Sequence, residues 1–421
     1  MTQQLVVEYP VDGCRVPVAS EAAAMARGAD GVLRYGDLWP ALTELLDRQV
    51  HAFANREAVV EVGGPRLTYR ELWHSGARIA GGLQRHGIGY GDRVAIRMPA
   101  GLRWIRAFLG ALLSGAVPVL VPSALPHRVA EQALADSAAD FVLGAGTPLP
   151  DGPSFIDDGA SLGELAVLCY TSDPHESRGV ELTNENLLSA IRSLVGTLDL
   201  PRDGVRNLVL LPLAGTRGCV DQLLPTFAVG GAVVFARDAA GIAEALETER
   251  VDMISATPEV FAGLCDTVGA MRRDGIDTRG VRRLSSAGRS TRRPAAAPRD
   301  ISATLRESFP EARHWLLWGS TETSGIGLAA DDLVCGERAA HDLPPGEVLG
   351  KPFGGTELAL IGPDAAAGEG ELLCRGPNVS TGYWNDPAAT ADRFTGGWFR
   401  TGDRVRITPD GTVHRVDKAA S

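Results

Sequence analysis

The sequence reads as an α/β protein: two parallel-type sheets sandwiched with helices, plus a smaller antiparallel or barrel-like subdomain. From Ala58 to Trp318, short apolar runs alternate with segments of helical period, the pattern of strands that pair in parallel and are covered on both faces. Two late runs, Arg283–Gly288 and His314–Gly319, end in small residues and present their carboxyl ends where open parallel sheets bind ligands. From Leu349 the period shortens to alternating strands separated by glycine.

Taken in order, residues 1–38 show no sustained period and read as an extension or as a strand packed on the body. Leu42 to Phe53 has helical spacing, and Ala58–Val62 enters a Gly63-Gly64 turn toward Leu67-Thr68-Tyr69. Thr68 predicts an N-cap with Glu71 as its capping-box partner, for a helix from Tyr69 to His86. Arg93–Met98 is a strand, Trp104–Leu113 a helix and Val117–Val121 a strand. The series continues with a strand at Asn207–Leu213, a helix at Cys219–Phe227, a strand at Ala232–Phe235 and a helix at Ile242–Arg250. Met253–Ala256 then precedes Pro258 at a helix N1 position. Strands at Thr356–Leu360, Gly370–Gly376 and Gly397–Arg400 close the series. The expected organisation is a large domain over 39–400, with subdomains near 39–200, 201–345 and 346–400, and a strand pair over 401–421.

With 421 residues and 44% hydrophobic content, the chain can bury a large core. A net charge of -11 argues against nucleic acid or an anionic membrane as the main ligand. The exception is the run Arg282, Arg283, Arg289, Arg292, Arg293 and Arg299, which lacks interleaved aromatics and reads as a solvated loop. The cysteines Cys14, Cys169, Cys219, Cys265, Cys335 and Cys374 show no metal spacing and predict buried, reduced thiols. No signal peptide is legible, and the most apolar segment, Ala111–Val121, is too short to span a bilayer, so a cytoplasmic protein is expected.

Val167 to Leu188, VLCYTSDPHESRGVELTNENLL, reads as a buried strand, a polar loop and a helix start. Thr171, Ser172, Arg178 and the backbone at Gly179 suit an anion. Pro174 offers no N–H. Asp173 and Glu176 would repel a triphosphate, each by on the order of 4 kcal/mol at close range before screening. On these residues alone, a phosphate cradle and a surface connection stay open.

Trp318-Gly319-Ser320-Thr321-Glu322-Thr323, Gly382-Tyr383-Trp384 and Trp398-Phe399-Arg400-Thr401-Gly402-Asp403 follow that loop in order. With Leu67–Leu72 before it and Gly370-Glu371-Leu372 between, this array resembles the adenylate-forming superfamily of acyl-CoA synthetases, nonribosomal adenylation domains and luciferases. The resemblance runs from about Leu42 to Lys418 and implies the large N-terminal domain of that fold. It implies ATP and Mg²⁺ as cofactors, with Glu322 on the metal and Thr321 beside the α-phosphate. Thr171, Ser172, Arg178 and Gly179 would form the phosphate loop. Ala287, Gly288 and Arg289 would flank the adenine opposite Trp318 and Gly319, with Ser320 alongside, and Asp403 would accept from the ribose hydroxyls. Lys418 stands at the hinge position.

The same resemblance marks two departures. The loop is one residue shorter than the family's and lacks its interior glycines. The chain stops three residues after Lys418, so the mobile C-terminal domain is expected to be absent. In the amino-acid-activating branch an aspartate binds the substrate ammonium; Ala214-Gly215-Thr216-Arg217-Gly218 occupies that stretch without a carboxylate. The implied substrate is a small aryl or acyl acid without an α-ammonium group, lined by Thr216, Arg217, Phe261, Ser324 and Gly325. CoA or an acyl carrier protein is the implied acceptor, and a homodimer stays open. The alternative is an impaired relative that binds a nucleotide, an acid or a protein without turnover.

Overall fold

In the computed structural model, the described residues are 6–9, 25–173, 175, 177–273, 275–287, 301–331 and 347–416. Two sheets organise them. A five-stranded sheet has the order Gly179–Thr183, Leu165–Tyr170, Val117–Leu120, Arg93–Arg97, Phe141–Gly144. It is parallel except at the Gly179–Thr183 edge.

The larger sheet has a parallel centre formed by Glu57–Glu61, Ala232–Phe235, Arg206–Val209, Met253–Ala256, Arg283–Ala287 and Arg313–Trp318. Beyond Arg313–Trp318 it continues antiparallel through Leu328–Asp331, Glu347–Pro352, Val413–Arg415, Trp398–Ile407, Glu369–Arg375 and Glu357–Ile361 to Val6–Tyr9. The antiparallel alternative for the C-terminal strands is therefore the one adopted: they extend the large sheet edge to edge, without closing a barrel among the described residues.

The helices form for legible reasons. Thr68 caps Tyr69–Arg85 in a capping box with Glu71, as its spacing predicts, and Thr183 caps Asn184–Thr197 in a box with Asn186. Asn184–Thr197 is buried along most of its length, and the main core joins it to Leu42–Phe53, Tyr69–Arg85 and Leu102–Leu113 as well as to strands of both sheets. Tyr69–Arg85 and Leu102–Leu113 approach closely at Gly110, where a Cβ would lie 2.2 Å from Ile79. The apolar run after Ala111 is core, with Leu113, Val119, Leu120 and Val121 fully buried.

One helix differs from its expected form. Cys219–Phe227 is the middle of a longer helical run that starts at Thr216, with a π turn at Cys219–Leu223 before Leu224–Ala228. A π turn inserts one residue per turn and leaves no signature in apolar period. Cys169, Cys219, Cys265 and Cys374 are buried free thiols, while Cys14 and Cys335 lie outside the described residues. Among the described residues no helix is long and apolar enough to cross a membrane.

Candidate functional site

The polar loop is a hairpin loop. Leu165–Tyr170 and Gly179–Thr183 pair antiparallel, with Gly179 opposite Tyr170, so the return strand separates the loop from the helix that starts at Asn184. The expected direct passage from loop to helix is thus corrected: the helix dipole does not open onto residues 171–178. Val180-Glu181-Leu182 is too short an alternation to mark a strand by composition alone.

The loop closes on itself. Thr171 N–H donates to the Arg178 carbonyl at 3.0 Å, and Arg178 N–H donates to Thr171 Oγ1 at 3.0 Å. Ser177 donates to the Thr171 carbonyl, and Asp173 Oδ1 accepts from His175 N–H at 2.8 Å in an Asx turn. Pro174 and Glu176 lie outside the described residues.

Gly382-Tyr383-Trp384 lies along the return strand, with Tyr383 bridged to Val180 and Trp384 N–H donating to the Gly179 carbonyl at 2.8 Å. That register carries Tyr383 to the centre of the site. Its hydroxyl donates to Glu322 Oε1 at 2.7 Å, and the Arg178 guanidinium sits 5.5 Å from its ring centroid. Arg178 Nε also lies 3.7 Å from Asp386 Oδ2. Burial, reinforced by the Glu322 charge, pushes the Tyr383 hydroxyl above its ordinary pKa.

Glu322, 8% exposed, sits in the 3-10 turn Thr321–Thr323. The turn is pinned from below. Asn378 donates to the carbonyls of Thr323 and Ile326, Ser324 Oγ donates to the Asn378 carbonyl, and Ser380 N–H donates to the Glu322 carbonyl. Ser320 N–H donates to Thr323 Oγ1 at 3.0 Å, and Gly319 packs tightly enough on the Gly325 carbonyl that a Cβ would lie 2.1 Å from it.

Cys169, at the end of the strand entering the loop, links this turn to the Thr216 segment. Its thiol is fully buried and pushed up to about 12, chiefly by burial; Thr216 N–H bonds it, and the charges of Glu322 and Asp221 both bear on it. The structure thus brings Thr171, Arg178, Gly179, Thr216, Thr321, Glu322, Ser324 and Gly325 into one region.

Other expected residues are placed differently. Trp318 is 4% exposed and packs in the core with Leu328, Leu349 and Leu358, and Phe261 is fully buried against His314. Ala287 ends its strand opposite Leu317. Asp403 lies within the strand Trp398–Ile407, where Gly402 has φ +76°, and its Oδ1 is 3.8 Å from Arg415. Along the sheet, three strands separate Asp403's strand from that of Trp318. Gly288, Arg289 and Lys418 lie outside the described residues. Sequence reasoning missed Tyr383, which lies within the Gly382-Tyr383-Trp384 motif, and Asp221, whose signal was a carboxylate among the otherwise mostly apolar residues from Cys219 to Leu224.

Comparison with known proteins identifies the family. The profile of the AMP-binding enzyme family matches residues 46–159 and 156–384. The chain is similar to a feruloyl-CoA synthase of Amycolatopsis, 31% identical over 396 residues, covering 85% of this chain and 75% of that protein. It is also similar to a phenyloxazoline synthase of Mycobacterium tuberculosis, 27% identical, covering 97% of this chain and 30% of that protein. Among solved structures, the N-terminal domain of FACL13 from Mycobacterium tuberculosis superposes with a TM-score of 0.74 at 24% identity, covering 90% of this chain and all of that one. The chain therefore belongs to the AMP-binding enzyme family, and it is an adenylate-forming ligase of that superfamily.

Proposed function

We propose that this chain uses ATP to activate an aryl or acyl carboxylic acid without an α-ammonium group, as an acyl-adenylate for transfer to CoA, a carrier protein or another nucleophile. One observation carries the reading: Tyr383 gathers Glu322 and Arg178, a metal-type carboxylate and a phosphate-type cation, at the mouth of the 171–178 loop. The groups present fit a magnesium nucleotide in kind. Glu322 is a hard oxygen donor of the sort Mg²⁺ takes singly beside substrate phosphates. Among the described residues no three His, Cys, Asp or Glu side chains cluster as a closed metal cage, which suits a metal arriving with its nucleotide.

In this reading Thr321, Thr171, Ser172 and Gly179 line the phosphates, and Arg178 clamps them after leaving the Tyr383 ring. Asp403 takes the ribose, and the strand ends at Ala287 and Trp318 face the adenine. Mg²⁺ would neutralise phosphate charge. The chain's own residues hold the acid and the α-phosphate in line, which is the larger part of what such a reaction needs.

Calorimetric titration with ATP and Mg²⁺, followed by acid-dependent pyrophosphate exchange, tests the proposal. Binding with exchange is expected, and no detectable binding of ATP or AMP overturns it. A binding module without turnover is the second reading, favoured by one feature: Thr171 Oγ1 and the Arg178 amide, both phosphate-type groups, are engaged with each other.

A further inference from the structure

Asp221 stands in the π turn Cys219–Leu223 and is fully buried. Among the described residues, neither of its carboxylate oxygens has a hydrogen-bond partner. The next residue shows the contrast: Gln222, equally deep, donates to Ser285 Oγ at 3.1 Å and accepts from Ser255. Buried polar groups are nearly always satisfied, and a buried carboxylate with none is costly to the fold. An apolar side chain of the same size would remove that cost, so packing does not account for an aspartate here.

Its surroundings are residues that the adenylation reading gives to the acid. Ser324 and Gly325, which follow the turn that holds Glu322, both have positive φ, +55° and +86°. A Cβ on Gly325 would lie 2.2 Å from Asp221 Oδ1 and 2.9 Å from Oδ2, so the carboxylate is seated directly against that corner. The Cys169 thiol, which Thr216 N–H bonds, feels the Asp221 charge. Asp221 therefore occupies a wedge floored by the Ser324-Gly325 corner, with Cys169 of the strand leading into the polar loop near enough to feel its charge. Burial holds the carboxyl well above its usual pKa, opposed by the Arg217 charge.

We propose that Asp221 is a specificity-determining residue that receives a hydrogen-bond-donating group, a hydroxyl or an amine, on the body of the acid, away from the carboxylate to be activated. The π turn serves to bring it into that wedge, as such turns do at functional sites. A site whose buried polar group needs a donor rejects the analogue that lacks one. This inference deepens the adenylation reading and rests on it for the identity of the ligand as an acid.

The experiment is calorimetric binding of benzoic acid, its hydroxy and amino derivatives, butyric acid and the hydroxybutyric acids to the whole chain. The proteins are wild type, Asp221→Asn and Asp221→Ala. Wild type is expected to bind at least one donor-bearing acid tenfold or more tighter than its donor-free counterpart, and Asp221→Ala is expected to shrink that ratio below about threefold. The hydroxy and amino arms identify the donor. Apo Asp221→Asn, which keeps the shape, should melt at or above the wild-type temperature. Equal ratios in wild type and Asp221→Ala, no binding of any acid, or a large fall in the Asp221→Asn melting temperature overturns the inference. Donor-dependent acid binding without ATP binding would sustain Asp221's role while sinking adenylation.

Discussion

The hydroxyl of Tyr383 donates to Oε1 of Glu322 at 2.7 Å, joining two motifs 61 residues apart through the return strand of the polar loop. A hydrogen bond to a carboxylate is worth about 1.5–3 kcal/mol, and here it fixes the direction of the proposed metal ligand. Tyr383→Phe should therefore lower kcat/KM for acid-dependent pyrophosphate exchange by about tenfold to a hundredfold, with the fold retained. An unchanged kcat/KM would show that the contact is only structural.

Glu322 should be less dispensable than the residue that orients it. Removing a proposed metal ligand outright takes away transition-state charge stabilisation, so Glu322→Ala should abolish exchange while ATP binding without Mg²⁺ persists. Exchange at the wild-type rate would place the metal elsewhere.

Asp173 caps the His175 amide within its own loop, the loop that the proposed function assigns to the triphosphate. Asp173→Gly combined with Glu176→Gly removes two like charges and frees the backbone. ATP should bind at least tenfold tighter by calorimetry. An unchanged affinity would mean that these side chains point away from the nucleotide.

His314 predicts a pH dependence whose sign follows from burial. Its Nε2 lies 2.7 Å from Ser286 Oγ, its ring is edge-on to Phe261, and burial lowers its pKa from 6.5 to about 4. The unfolded chain thus binds more protons between pH 4 and 6.5. Stability from neutral His314 is complete above about 6.5 and is lost as pH falls through about 4, by about 3 kcal/mol in all. Asp252, pushed up to about 6 by burial, runs the other way over much of that window. The informative quantity is therefore the difference in urea-unfolding free energy between wild type and His314→Gln, which should widen as pH rises from 4 to 6.5. A constant difference would refute the assignment.

Elements whose local signals agree with their burial were legible from sequence. Thr68 with Glu71, the Leu42–Phe53 period and the apolar strands Val117–Leu120 and Ala232–Phe235 all appear at nearly their expected bounds. What escaped depended on distant chain. Trp318 ends its strand one residue before the expected Gly319, but only the packing of Leu328, Leu349 and Leu358 decides that its ring is covered. The return strand Gly179–Thr183 was hidden because its pairing, and not its composition, makes it a strand. Tyr383 reaches Glu322 by a register set 203 residues earlier in the chain, at Val180.

The same dependence on distant chain yields a test of the Asp221 placement that needs no ligand. Gly325 has φ +86°, where a side chain costs about 1–2 kcal/mol by backbone strain alone. Its Cβ would also strike the Asp221 carboxylate at 2.2 Å, and overpacking of this kind costs about 1–3 kcal/mol more. Gly325→Ala should therefore destabilise the protein by about 2–5 kcal/mol in urea unfolding. In an Asp221→Gly background the steric part disappears and only the strain remains, so the same substitution should cost about 1–2 kcal/mol. The cycle should close with a coupling of at least about 1 kcal/mol, well outside the scatter of independent sites. Additivity within about 0.5 kcal/mol would mean that the carboxylate does not sit on the Ser324-Gly325 corner, and the wedge proposed for the acid would lose its floor.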